Sequence, residues 1–433
     1  MDAFEIDPYP GKPKILFIGL ANSTHTHAWI DLLAGTELNV RLFAMPHESD
    51  PPAALIRTYL SVLATEVPNG LHKYCEKEPI DPYKWLAAII KDWHPDIIHT
   101  LGLFDLQGGL LYHTVRQRFG LAGIGKWVLQ LRGGSDIALR KYNPESAKQI
   151  LEILSECDAV ITDNYVNINY INGLGLGDKV ASIAPVPGTG GLDTNVEIEN
   201  IVLPSKKERL ILWPKAYESP WSKALPVMEA FGLAWNAIKP CEIYITASTP
   251  ETETWFWTLP EEIRKHCSIR PRVPRNELLE LMRRARVLLV PSLVDGVPNS
   301  LYEAMINGTF PIVSPLDTIK PVVENETNVL FARNLYPEEI SRALVRAMSD
   351  DILVDEAAKN NLRLVKRIAS RQEISKRVVA YYNDMAGCYR KEYSQSGAAM
   401  NLQIGRNKVK FLYQMSKRRI IRLLSKWTQR SYK

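Results

Sequence analysis

Two carboxylates flank one predicted helix start in the stretch DGVPNSLYEAMINGTFPIVS, residues 295–314, which directly follows the apolar run 287–290. The apolar run predicts a buried strand, and the Pro-Asn-Ser after the Asp-Gly turn predicts a helix start. Asn299 and Ser300 would open that helix with its first amides pointing into a cleft, where they attract an anion. Asp295 and Glu303 would lie beside that anion and bind neutral hydroxyl groups. The stretch therefore favours a site for a diphosphate that carries hydroxyl groups.

Each of these features also has a structural explanation, which the sequence leaves open. Ser300 to Glu303 matches a capping box, in which the glutamate folds back onto the serine amide. The dipeptide Asp295-Gly296 is common in turns. Four residues recur at helical spacing and predict a face that packs on a sheet: Leu301, Ala304, Met305 and Gly308.

Two lysines supply positive charge near this region. Lys215 and Lys223 flank the loop WPKAYESPWSK, directly after another apolar run. A lysine is most often a solvated surface charge, but the end of a strand in the same sheet favours a role for both in binding the diphosphate. The chain has no Asp-x-Asp pair, the usual divalent-metal clamp for a sugar nucleotide. We therefore predict no metal and no cofactor, with the leaving-group charge neutralised by lysines and helix amides.

Short apolar runs alternate with helical patterns along the chain, which predicts parallel, doubly wound α/β sheets. The first half has predicted strands at 14–19, 42–44, 96–99, 127–130, 159–162 and 180–184. The second half has them at 210–213, 242–246, 267–270, 287–290 and 311–313. Helical patterns include 27–33, 277–284 and 374–385. Two sheets in tandem place a ligand cleft between the carboxyl ends of their strands.

The composition between the halves changes to a Gly- and Pro-rich linker at about 187–209. The predicted division is a first Rossmann-like domain, a linker, a second Rossmann-like domain, a helix crossing back to the first domain, and a basic tail. Their bounds are 1–190, 191–209, 210–373, 374–393 and 394–433.

The run VLLVPSLVDGVPNSLYEAMINGTFPIVS resembles the donor-binding signature of retaining glycosyltransferases with the GT-B fold, of the glycosyltransferase family 4 type, in which seven residues separate two acids. The resemblance continues in KILFIG, DIIHTLG, RGGSD, PVPGTGG and KALPVMEAF. It implies an α/β GT-B enzyme that moves a sugar from a UDP- or GDP-linked donor to a hydroxyl acceptor, with retention and without a metal.

The resemblance also implies roles for individual residues. Glu303 resembles the acid that holds the ribose hydroxyls, and Asp295 the acid that contacts the transferred sugar, although the family usually has the longer glutamate there. Lys215 and Lys223 stand at the positions of the basic pair that grips the diphosphate. Gly296, Asn299, Ser300 and Gly19 complete the predicted donor site.

Polar residues follow the predicted strands of the first domain. His25, His27 and His99 are candidate cleft or acceptor-binding residues, although a lone histidine is usually structural. RGGSD, from Arg132 to Asp136, follows another strand, and in the family this region lies near the donor phosphates and the acceptor. Arg132 stands where many relatives carry histidine, so we expect it to stabilise charge. No G-x-G-x-x-G follows the first strand, which disfavours a dinucleotide oxidoreductase.

The composition of the chain indicates its cellular compartment and its charged surface. Five dispersed cysteines disfavour a disulfide framework, and the N-terminus does not resemble a signal peptide, so we expect a cytoplasmic protein.

The net charge is +5, yet ten Lys and Arg and no acid lie from Arg406 onward, leaving about −5 for the rest. Residues 408–433 have the pattern of a basic amphipathic helix and predict binding to an anionic membrane surface, with no nucleic-acid partner. Packing of this helix on the catalytic domain is the alternative.

The sequence leaves open what the protein does with a nucleotide sugar. We expect transfer to a lipid-linked or surface-polysaccharide precursor at the inner face of the membrane. A sugar-nucleotide epimerase and a binding protein without turnover are the alternatives.

Overall fold

The computed structural model describes residues 7–20, 23–45, 58–60, 81–104, 108–133 and 136–395, with the backbone alone at 58–60 and at 394–395. The predicted basic tail, 394–433, therefore lies almost wholly outside the described residues, including its amphipathic part, 408–433. None of the described helices combines the length and the apolar composition that crossing a bilayer requires.

The first domain is a six-stranded sheet in the order β3-β2-β1-β4-β5-β6, and every neighbouring pair is parallel. Its strands are β1 (Lys14–Leu20), β2 (Asn39–Met45), β3 (Thr58–Leu60), β4 (Ile97–Thr100), β5 (Lys126–Leu131) and β6 (Ala159–Thr162). Its helices are Thr24–Ile30, Pro82–Trp93, Gly109–Arg118, Pro144–Glu156 and Tyr165–Gly173, with 3-10 turns at Asp31–Leu33, Arg140–Tyr142 and Gly177–Lys179. Two apolar clusters cover its two faces, as a fully parallel sheet requires.

The second domain repeats this arrangement in the order β12-β11-β10-β7-β8-β9, again all parallel. Its strands are β7 (Glu208–Trp213), β8 (Glu242–Ile245), β9 (Cys267–Ile269), β10 (Ala285–Val290), β11 (Phe310–Val313) and β12 (Leu330–Phe331). Its helices are Leu225–Ile238, Pro250–Phe256, Glu261–Arg264, Arg275–Arg284, Asn299–Ile306, Pro337–Ser349 and Asp351–Ile368. The α/β class with two Rossmann-like domains is therefore confirmed.

The segment between the domains has no strand, and carries 3-10 turns at Ile198–Asn200 and Pro204–Lys206. It lies against the point where the chain returns to the first domain. The Leu192 N–H donates to the carbonyl of Ala369 at 2.8 Å, and the Arg371 N–H donates back to the Leu192 carbonyl at 2.8 Å. The chain thus leaves the first domain and comes back to it at one place.

The last described helix, Arg371–Gln395, packs on the first domain. The hydroxyl of Tyr382 accepts from the indole N–H of Trp29 at 2.9 Å and lies 2.5 Å from Nδ1 of His99. Further along the helix, the Arg390 guanidinium pairs with Asp96, with Nη2 2.6 Å from Oδ2. A helix that follows the second domain therefore completes the core of the first.

The strand predicted at 180–184 is wrong. Only Val180 bridges to Val160 of β6, and the Ala184 N–H then turns back to the carbonyl of Ala181 at 2.9 Å. This turn breaks the ladder before a strand can form. The short edge strands β3 and β12 were not predicted from the sequence.

Candidate active site

The helix Asn299–Ile306 begins at the carboxyl end of β10, with Pro298 at its N-cap position. Ser300 thus lies inside the first turn, so the capping box suggested by the sequence does not form. The hydroxyl of Ser300 is buried and has no hydrogen-bond partner among the described residues. A buried hydroxyl beside free helix amides is suited to bind an anionic oxygen.

Glu303 is 3% exposed, and its carboxylate pairs with Arg275 instead of its own helix. Arg275 Nη2 lies 2.6 Å from Glu303 Oε1. Burial raises the pKa of Glu303, while Arg275 and then Lys215 oppose that rise. A buried carboxylate needs such a partner, because a lone charge in the interior is costly. Sequence reasoning missed Arg275, whose position at the start of a helix 28 residues earlier gave no local signal.

Asp295 forms the second ion pair of the site, with Lys215. Lys215 Nζ donates to Asp295 Oδ2 at 2.6 Å. The two residues follow β7 and β10, which are parallel neighbours, so their loops meet at one edge of the sheet. Burial alone would lower the pKa of Lys215, but Asp295, Tyr217 and Glu303 together raise it above its ordinary value. The Thr318 hydroxyl, which donates to the Asp295 carbonyl at 2.8 Å, fixes the loop.

Lys223 is not part of that pair. Its Nζ lies 2.6 Å from Glu218 Oε1, and the other oxygen of Glu218 accepts from the Ala224 N–H at 2.8 Å. The buried amide of Asn334 accepts from the Lys223 N–H at 2.9 Å and positions the backbone. A diphosphate bound by Lys223 would therefore compete with Glu218. Sequence reasoning did not single out Glu218, since an acid within a polar loop resembles any surface charge.

His25 reaches the same helix start from the first domain. Its Nδ1 lies 3.4 Å from Nδ2 of Asn299, whose Oδ1 accepts from the hydroxyl of Thr189 at 3.0 Å. Burial lowers the pKa of His25 to about 3, with further lowering by Arg132, Lys215 and Arg275. The imidazole is therefore neutral near pH 7, and Nδ1 acts as an acceptor from the Asn299 amide.

The RGGSD segment brings the two domains into direct contact through a pair of glycines. A Cβ added to Gly133 would lie 2.0 Å from the Cα of Gly296, so neither position has room for a side chain. Asp136 holds the segment from within, because its carboxylate accepts from the N–H groups of Arg132 at 3.0 Å and Leu103 at 3.3 Å. Burial raises the pKa of Asp136 to about 6. Its placement favours support of the loop over contact with an acceptor.

The Arg132 side chain lies on this same loop. Its Nη2 donates to Gln130 Oε1 at 3.2 Å, and its buried Nε has no partner among the described residues. Burial lowers the pKa of Arg132 only to about 10, since Asp136 and Asp163 oppose it. The guanidinium therefore stays positive near the helix Asn299–Ile306, which we call the donor helix.

The remaining predicted residues do not form the ion pairs. His99 is fully buried, with Nδ1 against the Tyr382 hydroxyl. His27 lines a cavity of about 740 Å³ beside the helix Thr24–Ile30, and Thr189 and Arg275 line the same cavity. Gly19 lies within β1, near its carboxyl end, where an added Cβ would lie 3.0 Å from Leu101. The structure thus brings together Asp295, Lys215, Glu303, Asn299, Ser300, Gly296 and His25, with Arg132 adjoining them.

Two family models match the chain, one in each domain. The model of glycosyl transferases group 1 matches residues 255–364, and the glycosyl transferase 4-like model matches residues 14–164. The chain is of the group 1 glycosyltransferase type. The second match covers β1 to β6, and the first contains both acids of the donor helix, so the two matches fall on the two halves that form the cleft.

Solved structures show the same GT-B fold as this glycosyltransferase. HepE of Anabaena, in complex with UDP and glucose, is 12% identical, with a TM-score of 0.64 over 85% of this chain and 98% of that one. Sucrose-phosphate synthase of Thermosynechococcus elongatus is 16% identical, with a TM-score of 0.65 over 87% and 100%. A putative UDP-N-acetylglucosamine 2-epimerase of Listeria monocytogenes is 12% identical, with a TM-score of 0.56 over 86% and 95%. No curated protein sequence matches significantly.

Proposed function

We propose that this glycosyltransferase moves a sugar from a nucleotide-sugar donor to a hydroxyl acceptor with retention at the anomeric carbon. The observation that carries the proposal is the pairing of both acids with bases at one helix start, Asp295 with Lys215 and Glu303 with Arg275. Glu303 would accept from the ribose hydroxyls, and Asp295 would contact the transferred sugar. The first amides of the helix and the Ser300 hydroxyl would bind the diphosphate.

The reaction breaks the bond between the anomeric carbon and the donor phosphate, and the acceptor oxygen attacks from the same face. The leaving phosphate oxygen takes the proton of the acceptor hydroxyl, so charge and protons balance without a protein base. Lys215, Arg132 and the helix amides would stabilise the departing negative charge. Each well-placed donor of this kind contributes about 3 to 4 kcal/mol to lowering a barrier.

Lys223 would join the site by exchanging its contact with Glu218 for the diphosphate. The exchange keeps an ion pair for the lysine in both states, and Glu218 keeps the Ala224 N–H as a donor. With two lysines, an arginine and a helix start around the diphosphate, the proposal needs no divalent metal.

UDP is the nucleotide we propose first, because HepE was solved with UDP and glucose and the two chains share the fold. GDP-linked donors are the second choice. For the acceptor we propose a lipid-linked or surface-polysaccharide precursor, on the basis of the basic amphipathic pattern at 408–433.

A panel of UDP- and GDP-sugars, incubated with the full chain in the presence of EDTA, tests the proposal. We expect slow donor hydrolysis or transfer that survives the chelator, and a first-formed sugar product with the anomeric configuration of the donor. Inversion in that product would contradict the retaining mechanism. Turnover that stops with EDTA and returns with magnesium or manganese would contradict the metal-free site.

An epimerase is the second candidate, and its support is the likeness to the Listeria protein whose description names that activity. The same panel separates the two, since an epimerase returns an isomerised donor and no free sugar. A binding protein without turnover, suggested by the shorter acid at Asp295, would bind one donor and leave it unchanged.

A further inference from the structure

Asp163 is a buried carboxyl group that directly follows β6 and that the proposed reaction does not use. It is 9% exposed, and the two N–H groups of neighbouring residues that donate to it are both neutral. Oδ1 accepts from the Asn164 amide at 2.7 Å, and Oδ2 accepts from the Gly133 N–H at 3.1 Å. No salt bridge to Asp163 is formed within the described residues, so a negative charge there would lack a direct partner.

Glycines from three segments surround this carboxyl group. Gly133 belongs to the first domain and Gly188 to the segment between the domains. Gly296 belongs to the loop of the second domain that joins β10 to the helix Asn299–Ile306, which we call the donor loop. A Cβ added to Gly296 would lie 2.7 Å from Asp163 Oδ2, and one added to Gly188 would lie 3.8 Å from it. The carboxyl group therefore touches the donor loop directly when the cleft has the closed geometry seen here.

The charged and titratable groups around Asp163 come from each of the packed elements. Asp295 follows β10 next to Gly296 and pairs with Lys215. Arg132 on the loop after β5 is a positive group that interacts with Asp163, while His25 on the first helix is neutral. Tyr302 on the donor helix also faces Asp163. Burial raises the pKa of its phenol, so this group stays uncharged. Closing the cleft thus brings one carboxyl group towards another.

We propose that Asp163 is a positioning residue that lets the two domains close fully only while its carboxyl group is neutral. Closure presses Oδ2 against the loop that carries Asp295, which strips water from the group and brings it near a negative charge. An ionised Asp163 would be stabilised by reopening, since water then solvates it. The inference rests on the proposed function only in that closure assembles the donor site.

The direction of the pH dependence follows from linkage. Burial raises the pKa of Asp163 in the closed form to about 7, and the Asp295 carboxylate adds to the rise. In an open, solvated cleft an aspartate titrates at about 3.9. The closed form therefore binds the proton more tightly, is most favoured at low pH, and loses its advantage as pH rises towards about 7.

Small-angle scattering on the full chain without any donor tests this directly. We expect the radius of gyration to increase between about pH 5 and about pH 8.5 in the unmodified protein, and to stay constant in Asp163→Asn. Asp136→Asn is the matched control, because Asp136 is also buried and also accepts from amides of the first domain, whereas only Asp163 of the two is placed against Gly296 of the second domain. This control should keep the expansion. The proposal would be overturned if the radius of gyration of the unmodified protein did not change with pH, or if Asp163→Asn still expanded.

Gly296→Ala provides a second variant that does not depend on titration. The added methyl group would meet the Gly133 backbone at 2.6 Å as well as Asp163 Oδ2 at 2.7 Å, so we expect this contact between the domains to be lost, and the protein to be expanded, already at about pH 5. A compact Gly296→Ala protein would show that this contact does not set closure.

The rate of turnover is measured in a separate experiment. The rate on the best donor should fall about tenfold from pH 6 to pH 8.5 in the unmodified protein, and less than about twofold in Asp163→Asn. If the radius of gyration increases with pH as expected but no nucleotide sugar is turned over, the proposed function is contradicted and the role of Asp163 in closure is supported.

Discussion

At the residue scale, the two acids of the donor helix differ in how their charge is held. Asp295 is partly exposed and pairs with a lysine from a neighbouring loop, whereas Glu303 is almost fully buried and pairs with a half-exposed arginine. Arg275 therefore supplies the opposite charge that a buried Glu303 carboxylate requires. A ribose with two hydroxyl donors could then replace or join the guanidinium at that carboxylate.

Glu303→Gln should weaken donor binding by about tenfold or more, because an amide offers one acceptor where the carboxylate offers two. The free energy of unfolding should change little, since Arg275 can turn to solvent. Calorimetric titration with UDP and thermal unfolding of both proteins measure the two effects. A sharp loss of thermal stability with unchanged UDP affinity would assign Glu303 a purely structural role.

Lys223→Ala should lower turnover more than Lys223→Arg, because positive charge at the diphosphate matters more than the shape of the group. We expect a loss of about tenfold to a hundredfold for alanine. Glu218→Gln is the control for the resting contact. It should leave the charge of Lys223 intact and change turnover less than Lys223→Ala does. Equal rates in the alanine and arginine variants would place Lys223 outside the site.

Sequence reasoning found the acids because both lie within one local motif, Asp295 to Glu303. It found Lys215 because the residue ends a recognisable strand. Arg275, Glu218 and Asp163 could not be found in this way, since each acts through a partner that only the folded chain brings near. His99 was misplaced for the converse reason: its polarity suggested a cleft, and its partner Tyr382 lies 283 residues later in the chain.

At the scale of elements, the crossing helix Arg371–Gln395 places one buried hydroxyl group, that of Tyr382, in the apolar core of the first domain. Indole N–H groups only donate, so the Tyr382 hydroxyl accepts from Trp29, and the same oxygen lies 2.5 Å from Nδ1 of His99. Burial lowers the pKa of His99 to about 3, so the imidazole is neutral near pH 7.

Tyr382→Phe should destabilise the protein by about 1 to 3 kcal/mol, because it leaves a buried indole N–H and a buried imidazole nitrogen without partners. Tyr381→Phe is the matched control on the same helix, where the ring is only partly buried and the effect should stay within about 0.5 kcal/mol. Urea denaturation of the three proteins measures the difference. Equal stabilities would show that the buried hydroxyl makes no net contribution.

The alternation of strands and helices predicted most of the two sheets, because buried parallel strands are continuous apolar runs. The prediction failed where local composition and tertiary context disagree. Residues 180–184 are apolar enough for a strand but turn after a single bridge, and Leu330–Phe331 is too short to give a pattern. The edge strand Thr58–Leu60 likewise has too few residues for a period to be read.

At the scale of the whole molecule, charge is divided along the chain. The ten basic residues from Arg406 onward contrast with a net charge of about −5 before them. Such a division points to a surface that the tail approaches and the folded domains do not. A membrane with anionic lipids fits the tail, because the same segment carries apolar residues at helical spacing: Val409, Leu412, Tyr413, Ile420, Leu423, Leu424 and Trp427.

Full-length protein should sediment with anionic liposomes at low salt, and truncation after Gln403 should abolish this. Each basic residue near the lipid surface contributes about 1 kcal/mol, and Trp427 would lie at the level of the headgroups. The truncated protein should still bind UDP, since every residue of the candidate donor site precedes position 304. Neutral liposomes are the control, because the charge contribution is absent there and binding should fall sharply. The prediction would be contradicted if the truncated chain sedimented equally well, or if the full chain did not sediment with anionic liposomes. In either case the acceptor would be sought among soluble hydroxyl compounds.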